Sequence, residues 1–303
     1  MRVVINRFIT ALSRATIYVT ALMLASTSLL ADSFKDPQNF DPKFAPSMIE
    51  LTIPYEGVRM TGLMYSAAGQ GPHPTIILLH AFPGFEKNLD MAQALRRQGY
   101  NILFFHYRGT WGSGGNYSWS GSLHDVHTAI DYLKRPENIE KYRVDIDQIH
   151  LVGHSWGGML SLKAGGKNPN IHCIVSIAPE DWTQWLDTEA DRQSIIDYLD
   201  GIYSVQGYPS QTALNDLIKE RAEWTLNNIA KNVGNKKTLL ISAQLDAAFD
   251  TNARERVSKQ ARLAGTNNLT SFTIDKADHS FSAKRIELIE RTSKWLNQNC
   301  KAK

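Results

Sequence analysis

The hydrophobic residues of this chain fall into short runs separated by polar and amphipathic segments. Two alternating segments, IELTIPYE and VRMTGLMYS, predict an opening antiparallel pair of strands. Six further runs are mostly continuous and predict buried strands: TIILLHAF, NILFFHYRG, QIHLVGHS, CIVSIAP, TLLISAQLD and SFTIDKA. Most of these runs are separated by segments with helical periodicity. The pattern therefore predicts an α/β fold with a mainly parallel eight-stranded sheet and helices on both faces.

Two regions depart from this alternation. Residues 32–47 contain three prolines and no apolar period, which predicts a linker before a domain of residues 48–303. The segment from about 180 to 234 has helical periodicity and no clear strand. Because it is too long for an ordinary connection between strand and helix, we expect it to form a small helical cap insertion.

The N-terminal segment has the layout of a secretory signal peptide. Basic residues precede an apolar run at residues 17–30, and Ala31 follows as a small residue at the cleavage point. We therefore expect residues 1–31 to be removed and the protein to be exported, to the periplasm or the medium. The run is shorter than the roughly 20 residues of a membrane-spanning helix, so an uncleaved membrane anchor is the alternative.

Composition indicates a folded protein of balanced charge. Apolar residues make up 43% of the chain and charged residues 21%, as in ordinary globular proteins. The net charge of +3 arises from 33 basic and 30 acidic residues, and Arg2, Arg7 and Arg14 of the leader account for the excess. A mature chain without basic excess predicts no nucleic-acid partner.

Cysteine usage gives little support for covalent cross-linking. The chain has two cysteines, Cys173 in a predicted strand and Cys300 in the C-terminal tail. Two cysteines do not make a disulfide framework, even in an oxidising compartment. We therefore expect a buried inert thiol and a tail thiol.

The strongest chemical signal is the sequence GHSWGG at residues 153–158, between a strand run and a helical pattern. A sharp turn from strand to helix forces its central serine into a strained conformation with the hydroxyl exposed, and flanking glycines relieve the crowding. The alternative is an ordinary glycine-rich turn with a serine N-cap. The context favours Ser155 as a nucleophile.

A serine nucleophile needs a general base and a carboxylate, which follow it in the order acid, histidine. Only His172 and His279 lie after Ser155, and His172 falls inside a predicted strand, so His279 is the expected base. Asp246 ends the run TLLISAQLD, at the sheet edge where active-site groups gather, and is the expected acid. Asp250 is the alternative acid, although its position favours a helix N-cap.

The same reaction needs hydrogen-bond donors for a developing oxyanion. The N–H group of Trp156, directly after the nucleophile, is one expected donor. The N–H group of Phe82, in the sequence HAFPG after the third predicted strand, is the other, since Pro83 has no N–H group. The alternative is that HAFPG is merely a tight turn.

Signals for metals and nucleotide cofactors are absent from the sequence. No HExxH motif occurs, and Asp145 and Asp147 are expected to be two solvated carboxylates rather than metal ligands. The glycine-rich run at residues 112–115 matches neither the dinucleotide fingerprint nor the phosphate-binding loop. We expect no metal and no cofactor.

From about Met48 to its end, the chain resembles serine hydrolases of the α/β-hydrolase fold. The resemblance rests on GHSWGG, HAFPG, YRGTWGSGG, the strand-end Asp246 and DHSF. The segment YRVDIDQIHLVGHSWGG also resembles the approach to the nucleophile in prolyl oligopeptidase-like and acyl-aminoacyl-peptidase-like members. One departure is Ala81, which stands where the family usually has glycine. The resemblance implies a Ser155, Asp246 and His279 triad, and Ser155 separates the chain from relatives with aspartate or cysteine at this position.

The expected reaction is hydrolysis of carboxylic esters of small or medium acyl chains. Aromatic residues are available to line an apolar acyl pocket, and the candidates beside Phe82 are Phe85, Trp111, Trp182 and Trp185. A small-molecule ester or a short peptide is the expected partner, with a membrane involved only if the leader stays as an anchor.

Two other functions remain open. Residues 180–201 contain seven acidic residues and one arginine, and one carboxylate there would bind a free α-amine in an aminopeptidase or other S9-like peptidase. A solvated helix face explains the same charges more simply. The remaining alternative is a non-catalytic binding protein on the same fold.

Overall fold

The computed structural model describes residues 34–37, 39–247 and 251–301. The chain divides into two units, Met1–Asp32 and Ser33–Lys303. The first unit, which includes the predicted signal peptide, lies outside the described residues, and so does Asp250. The fold below is that of the second unit.

A single sheet of eight strands forms the centre of this unit, as the hydrophobic pattern predicted. The strands are β1 Ser47–Tyr55, β2 Val58–Ser66, β3 His73–Leu79, β4 Asn101–Phe105, β5 Val144–His154, β6 Ile171–Ile177, β7 Lys237–Ala243 and β8 Leu269–Ile274. Their spatial order is β1-β2-β4-β3-β5-β6-β7-β8. β2 is antiparallel to both of its neighbours, and the other neighbouring pairs are parallel. The predicted mainly parallel sheet is confirmed.

Helices connect most of the strands. The α-helices are α1 Leu89–Arg97, α2 Trp119–Leu133, α3 Pro136–Tyr142, α4 Trp156–Gly165, α5 Glu189–Asp200, α6 Ser210–Lys219, α7 Arg221–Trp224, α8 Leu226–Lys231, α9 Thr251–Leu263 and α10 Arg285–Asn299. Short 3₁₀ helices occur at Pro42–Phe44 and Trp182–Trp185. No helix in the described part of the chain is both long and apolar enough to cross a membrane.

Both faces of the sheet are buried, which explains why the strand sequences are continuously apolar. Alternate residues of a strand point to opposite faces. In β3, Ile77 and Leu79 belong to one core cluster, whereas Ile76 and Leu78 belong to the other. Buried residues of α2 and α4 pack into the first cluster, and those of α1 and α10 pack into the second. The sheet is therefore covered by helices on both sides.

The residues predicted as a linker lie before β1. The carbonyl oxygen of Phe44 accepts a hydrogen bond from the N–H group of Gly69 at 3.0 Å. Asp36 forms an ion pair with Arg97 at 2.7 Å. Within its described residues, this stretch contacts the domain that follows it.

The segment predicted as an insertion lies between β6 and β7 and contains the second 3₁₀ helix and α5 to α8. Aromatic residues join it to the rest of the domain: Trp182 contacts the rings of Phe82 and Trp119, with centroid distances of 5.7 and 5.4 Å. The indole N–H group of Trp119 donates a hydrogen bond to the carbonyl oxygen of Ala213 in α6 at 3.0 Å. These contacts fix the insertion against the loop that follows β3.

A disulfide joins Cys173 in β6 to Cys300 directly after α10. The expectation of two separate thiols was therefore wrong. Both residues are fully buried, and their Cα atoms are 6.0 Å apart. They lie 127 residues apart in sequence and meet because α10 packs on the same core cluster as β6. The spacing of the two cysteines along the chain does not predict this contact.

Candidate active site

Ser155 occupies the sharp turn between β5 and α4. Its backbone has φ +57° and ψ −120°, a strained conformation for a residue other than glycine. A Cβ atom at Gly153 would collide with the carbonyl oxygen of Gly157, and one at Gly157 would collide with the carbonyl oxygen of Leu79. The glycines on either side of the serine are therefore required by close backbone packing, as the sequence pattern predicted.

His279 and Asp246 form a hydrogen-bonded pair beside this turn. Asp246 follows β7, His279 follows β8, and the Nδ1–H group of His279 donates to Oδ2 of Asp246 at 2.8 Å. The two loops are joined by a hydrogen bond from the N–H group of Leu245 to the carbonyl oxygen of Ala277 at 2.8 Å. With Nδ1 bound to the carboxylate, Nε2 of the imidazole is left to act as a base.

The surroundings of His279 favour its protonated form. Burial lowers the pKa of His279, but the hydrogen bond and charge of Asp246, with smaller effects of Glu180 and Asp278, raise it above its ordinary value overall. The Nε2–H group of His154 donates a hydrogen bond to the carbonyl oxygen of His279 at 2.8 Å, which fixes the loop. An imidazole held in this way accepts a proton readily.

A second carboxylate contacts Ser155 directly. The hydroxyl group of Ser155 donates a hydrogen bond to Oε2 of Glu180 at 2.9 Å. Within the described residues, the structure contains no hydrogen bond between Ser155 and His279, although both line the same cavity. Glu180 is buried, with 8% of its surface exposed, and burial raises its pKa above the ordinary value, against the lowering effects of His279 and the serine hydroxyl.

Sequence reasoning counted Glu180 only as one charge of the insertion. A positional signal for it was available. Glu180 follows β6, the parallel neighbour of β5, after only Ala178 and Pro179. It therefore lies at the same carboxyl edge of the sheet as Ser155, where functional groups of open α/β sheets gather.

The two expected oxyanion donors belong to Phe82, which lines the same cavity as Ser155, and to Trp156, the next residue in the chain. The N–H group of Phe82 has no backbone hydrogen-bond partner in the described part of the chain. Trp156 is the first residue of α4, so its N–H group has no partner inside the helix. Ala81, which replaces the family's usual glycine, does not have a positive φ, so its backbone conformation does not require glycine.

Ser155 lines a cavity of about 510 Å³. The cavity is lined by Ala81, Phe82, Pro83, Phe85, Glu86, His154, Ser155, Glu180, Trp182, Trp185, Asp191, Ser194, Ile195, Tyr198, His279 and Ser280. Of the aromatic residues proposed from sequence, Phe85, Trp182 and Trp185 lie in this wall. Tyr198 of α5 was missed, because nothing in the sequence indicates which face of that helix meets the cavity.

Trp111 does not line this cavity, so its assignment to the acyl pocket was wrong. Its indole N–H group donates a hydrogen bond to the carbonyl oxygen of Pro83 at 2.7 Å, and its ring contacts Phe85 edge-on at 5.7 Å. It supports the loop after β3 from outside. The side chain of Trp156 also points away, donating to the hydroxyl oxygen of Ser122 at 3.0 Å, so Trp156 offers the site its N–H group alone.

No cluster of metal-binding side chains occurs among the residues that the structure describes. Asp145, one of the two carboxylates considered from sequence, accepts hydrogen bonds from the N–H group of Asp147 and the side chain of Gln148. These interactions are internal to β5, on the exposed part of the strand.

Comparison with known proteins finds similarity to the α/β-hydrolase fold and to hydrolases. A family model described as alpha/beta hydrolase fold matches residues 74–201. The chain is 27% identical to acylamino-acid-releasing enzyme 1 of Oryza sativa subsp. japonica over 63% of its own length and 25% of the relative. It is 33% identical to proline iminopeptidase of Lactobacillus delbrueckii subsp. lactis over 29% of each chain. The chain thus spans about a quarter of the length of the curated relatives it matches.

A solved structure with a similar fold is Est1E from Butyrivibrio proteoclasticus, determined with ferulic acid bound. Its TM-score is 0.66 at 18% sequence identity, over 82% of this chain and 98% of Est1E. At that identity the likeness concerns the fold alone.

Proposed function

We propose that this chain, which has the α/β-hydrolase fold, is an exported serine hydrolase that cleaves carboxylic esters through an acyl-enzyme. The observation that carries the proposal is a connected set of three groups: Ser155 on its strained turn and His279 line one cavity, and the buried Asp246 binds the imidazole of His279. The apolar and aromatic cavity walls support an acyl group as the bound part of the substrate.

In the first half of the proposed reaction, Oγ of Ser155 attacks the ester carbonyl carbon as Nε2 of His279 takes the hydroxyl proton. This requires the Ser155 side chain to leave Glu180, a rotation about a single bond. The N–H groups of Phe82 and Trp156 donate to the oxyanion of the tetrahedral intermediate. His279 then gives its proton to the leaving alkoxide, and an alcohol departs.

In the second half, a water molecule attacks the acyl-enzyme. His279 takes a proton from this water, and the oxyanion forms at the same two donors. Collapse of the intermediate breaks the bond to Ser155, which recovers its proton from His279, and releases the carboxylic acid. Asp246 holds the imidazole in one orientation and stabilises its positive charge in both halves.

Activity on a neutral activated ester tests this proposal. We expect the purified protein to hydrolyse p-nitrophenyl butyrate and to be labelled covalently by a fluorophosphonate probe, because both report an activated serine. A folded protein that shows neither reaction would instead support the non-catalytic binding protein.

Peptide bond cleavage is the second candidate, favoured by the names of the relatives, an acylamino-acid-releasing enzyme and a proline iminopeptidase. Amide hydrolysis would use the same groups. Comparison of p-nitrophenyl butyrate with aminoacyl p-nitroanilides at equal concentration separates the two. A larger kcat/KM for the anilide, lost when its amine is acetylated, would establish the peptidase.

The pH dependence of kcat/KM should reflect the surroundings of His279. The base acts in its neutral form, and its pKa is raised, so activity should fall with decreasing pH at a midpoint above the ordinary histidine value of about 6.5. Asp246→Asn should move this midpoint to lower pH, because it removes the charge that favours the imidazolium. Profiles of kcat/KM against pH for p-nitrophenyl butyrate check both expectations.

Asp278→Asn is the matched control for the pH profile, since Asp278 raises the pKa of His279 less than Asp246 does. We expect the smaller shift from this variant. An Asp246→Asn profile that coincides with the wild-type profile would contradict the assigned pairing.

Export is proposed from the predicted signal peptide, and the disulfide between Cys173 and Cys300 supports it, because disulfides persist in oxidising compartments. Expression of the full-length gene in a Gram-negative host should give a periplasmic or secreted protein that begins near Asp32. N-terminal sequencing decides this. A product that begins at Met1 and sediments with membranes would mean an uncleaved anchor.

A further inference from the structure

The cavity at Ser155 has an excess of negative charge. Three carboxylates line it, those of Glu86, Glu180 and Asp191, and none of its lining residues is a lysine or an arginine. Glu86 lies 3.9 Å from the guanidinium group of Arg285, which offsets its charge. Glu180 is the carboxylate that lies against the nucleophile.

Among the residues that the structure describes, no lysine or arginine forms an ion pair or hydrogen bond with Glu180. Its carboxylate accepts a hydrogen bond from the uncharged hydroxyl group of Ser155, and the uncharged indole of Trp182 also lowers its pKa. The positive charge that acts on it belongs to His279, which is already paired with Asp246. A buried carboxylate in such a place is unfavourable unless a cation accompanies it. A positively charged ligand bound in the cavity can supply this cation.

The walls beside Glu180 suit a cation as well. Trp182 contacts the rings of Trp185 and Tyr198, with centroid distances of 5.7 and 5.5 Å, and all three residues line the cavity. Aromatic faces attract positive charge, most strongly where water is excluded. A carboxylate bordered by aromatic rings is a site for a positively charged nitrogen.

We infer that the acyl part of the substrate carries a positively charged amino group on the carbon next to the scissile carbonyl, and that Glu180 binds this group. The inference rests on the proposed function and names its substrate class: α-amino acid esters or the corresponding amides. Neither cavity volume nor aromatic lining alone would select this class. The position of the carboxylate does.

The position of the amine follows from distances. Oε2 of Glu180 is 2.9 Å from Oγ of Ser155. A carbonyl carbon poised for attack lies about 3–3.5 Å from the serine oxygen. An α-nitrogen is about 2.5 Å from that carbon, across two bonds. An α-ammonium group can therefore reach Glu180 while the carbonyl faces the nucleophile, whereas a charge several bonds further along an extended acyl chain lies beyond this reach.

Binding of the amine also changes the hydrogen bonding of the Ser155 hydroxyl group. An ammonium group at Glu180 competes with the Ser155 hydroxyl for the same carboxylate oxygen. Once displaced, the hydroxyl is free to donate to His279, as attack requires. We therefore expect the amine to raise kcat as well as to lower KM.

Three esters of one carbon skeleton test the inference: L-phenylalanine ethyl ester, its N-acetyl derivative and ethyl 3-phenylpropanoate. They are compared by acid release at about pH 6.5, where the free amine is largely protonated. A buried charge-assisted hydrogen bond predicts a kcat/KM at least about tenfold higher for the free amine than for either neutral ester. Equal or lower values for the free amine would overturn the inference.

Glu180→Gln should reduce this preference to about twofold or less, because the amide has no charge to pair with the amine. The matched control is Glu189→Gln, which removes an exposed carboxylate of α5 that does not line the cavity. This control should retain the preference. If the preference persisted in Glu180→Gln, Glu180 would not be the amine site.

A measurement on the wild-type protein avoids dependence on the folding of the variant. L-Phenylalaninol should inhibit hydrolysis of p-nitrophenyl butyrate at about a tenth of the concentration that 3-phenyl-1-propanol requires. Equal inhibition would contradict an amine site. Hydrolysis of the neutral esters without any preference for the amine would overturn this inference and leave the proposed function intact. Absence of hydrolysis of every ester would overturn the proposed function itself.

Discussion

Ser155→Ala and His279→Ala should each reduce kcat for p-nitrophenyl butyrate by about 10⁴-fold or more, because nucleophile and base act as a unit. Labelling by a fluorophosphonate probe should be lost entirely in Ser155→Ala. Asp246→Asn should cost less, since His279 keeps its place in the loop through the hydrogen bond that His154 donates to its carbonyl oxygen. Steady-state kinetics on all three variants measure which substitution reduces kcat the most.

Folding must be separated from catalysis in this series. Thermal unfolding of each variant should match the wild type to within a few degrees, because Ser155 and His279 line the cavity and Asp246→Asn keeps the size of its side chain. The double variant Ser155→Ala/His279→Ala should be no slower than either single variant. Additive losses would mean that the two residues act independently. Asp250→Asn proving more damaging than Asp246→Asn would overturn the assigned acid.

The sequence alone predicted the eight strands, and three of the residues it singled out, Phe82, Ser155 and His279, line one cavity for a common physical reason. The groups Phe82, Ser155, Asp246 and His279 each come within a few residues of the end of a parallel strand, and the carboxyl ends of parallel strands lie along one edge of a sheet. The place of these residues after a strand in the sequence therefore predicted their place at this edge of the sheet. The glycines around Ser155 added a steric requirement that few turns share.

The features that sequence reasoning missed depend on packing between distant segments. Trp111 is aromatic and close in sequence to other candidates, but its hydrogen bond to Pro83 holds it outside the cavity. Tyr198 enters the cavity only because α5 lies across it. Glu180 also comes shortly after the end of a parallel strand, as the other groups do. The prediction from sequence instead grouped its charge with the other acidic residues of the insertion.

Removing the disulfide should lower the free energy of unfolding by about 2–5 kcal/mol, because the cross-link closes a long loop in the unfolded chain. Cys173 and Cys300 are 127 residues apart and both are fully buried. For a domain of this size, the loss corresponds to a decrease in Tm of about 5–15 °C. Cys300→Ser is the better variant, since Cys300 lies after the last helix and Cys173 lies inside β6. Calorimetry on protein from an oxidising compartment measures the effect.

Non-additivity distinguishes the cross-link from the packing of two sulfur atoms. If the bond accounts for the stability, Cys300→Ser already removes it, and adding Cys173→Ser should cost only the repacking of one small side chain in the core. Thiol titration of the unfolded wild-type protein should find no free thiol, and Cys300→Ser should have one. Two free thiols in the wild type, with additive losses in the variants, would mean that the cysteines are not bonded in the protein. In that case the disulfide would no longer support export, and that proposal would rest on the N-terminal sequence alone.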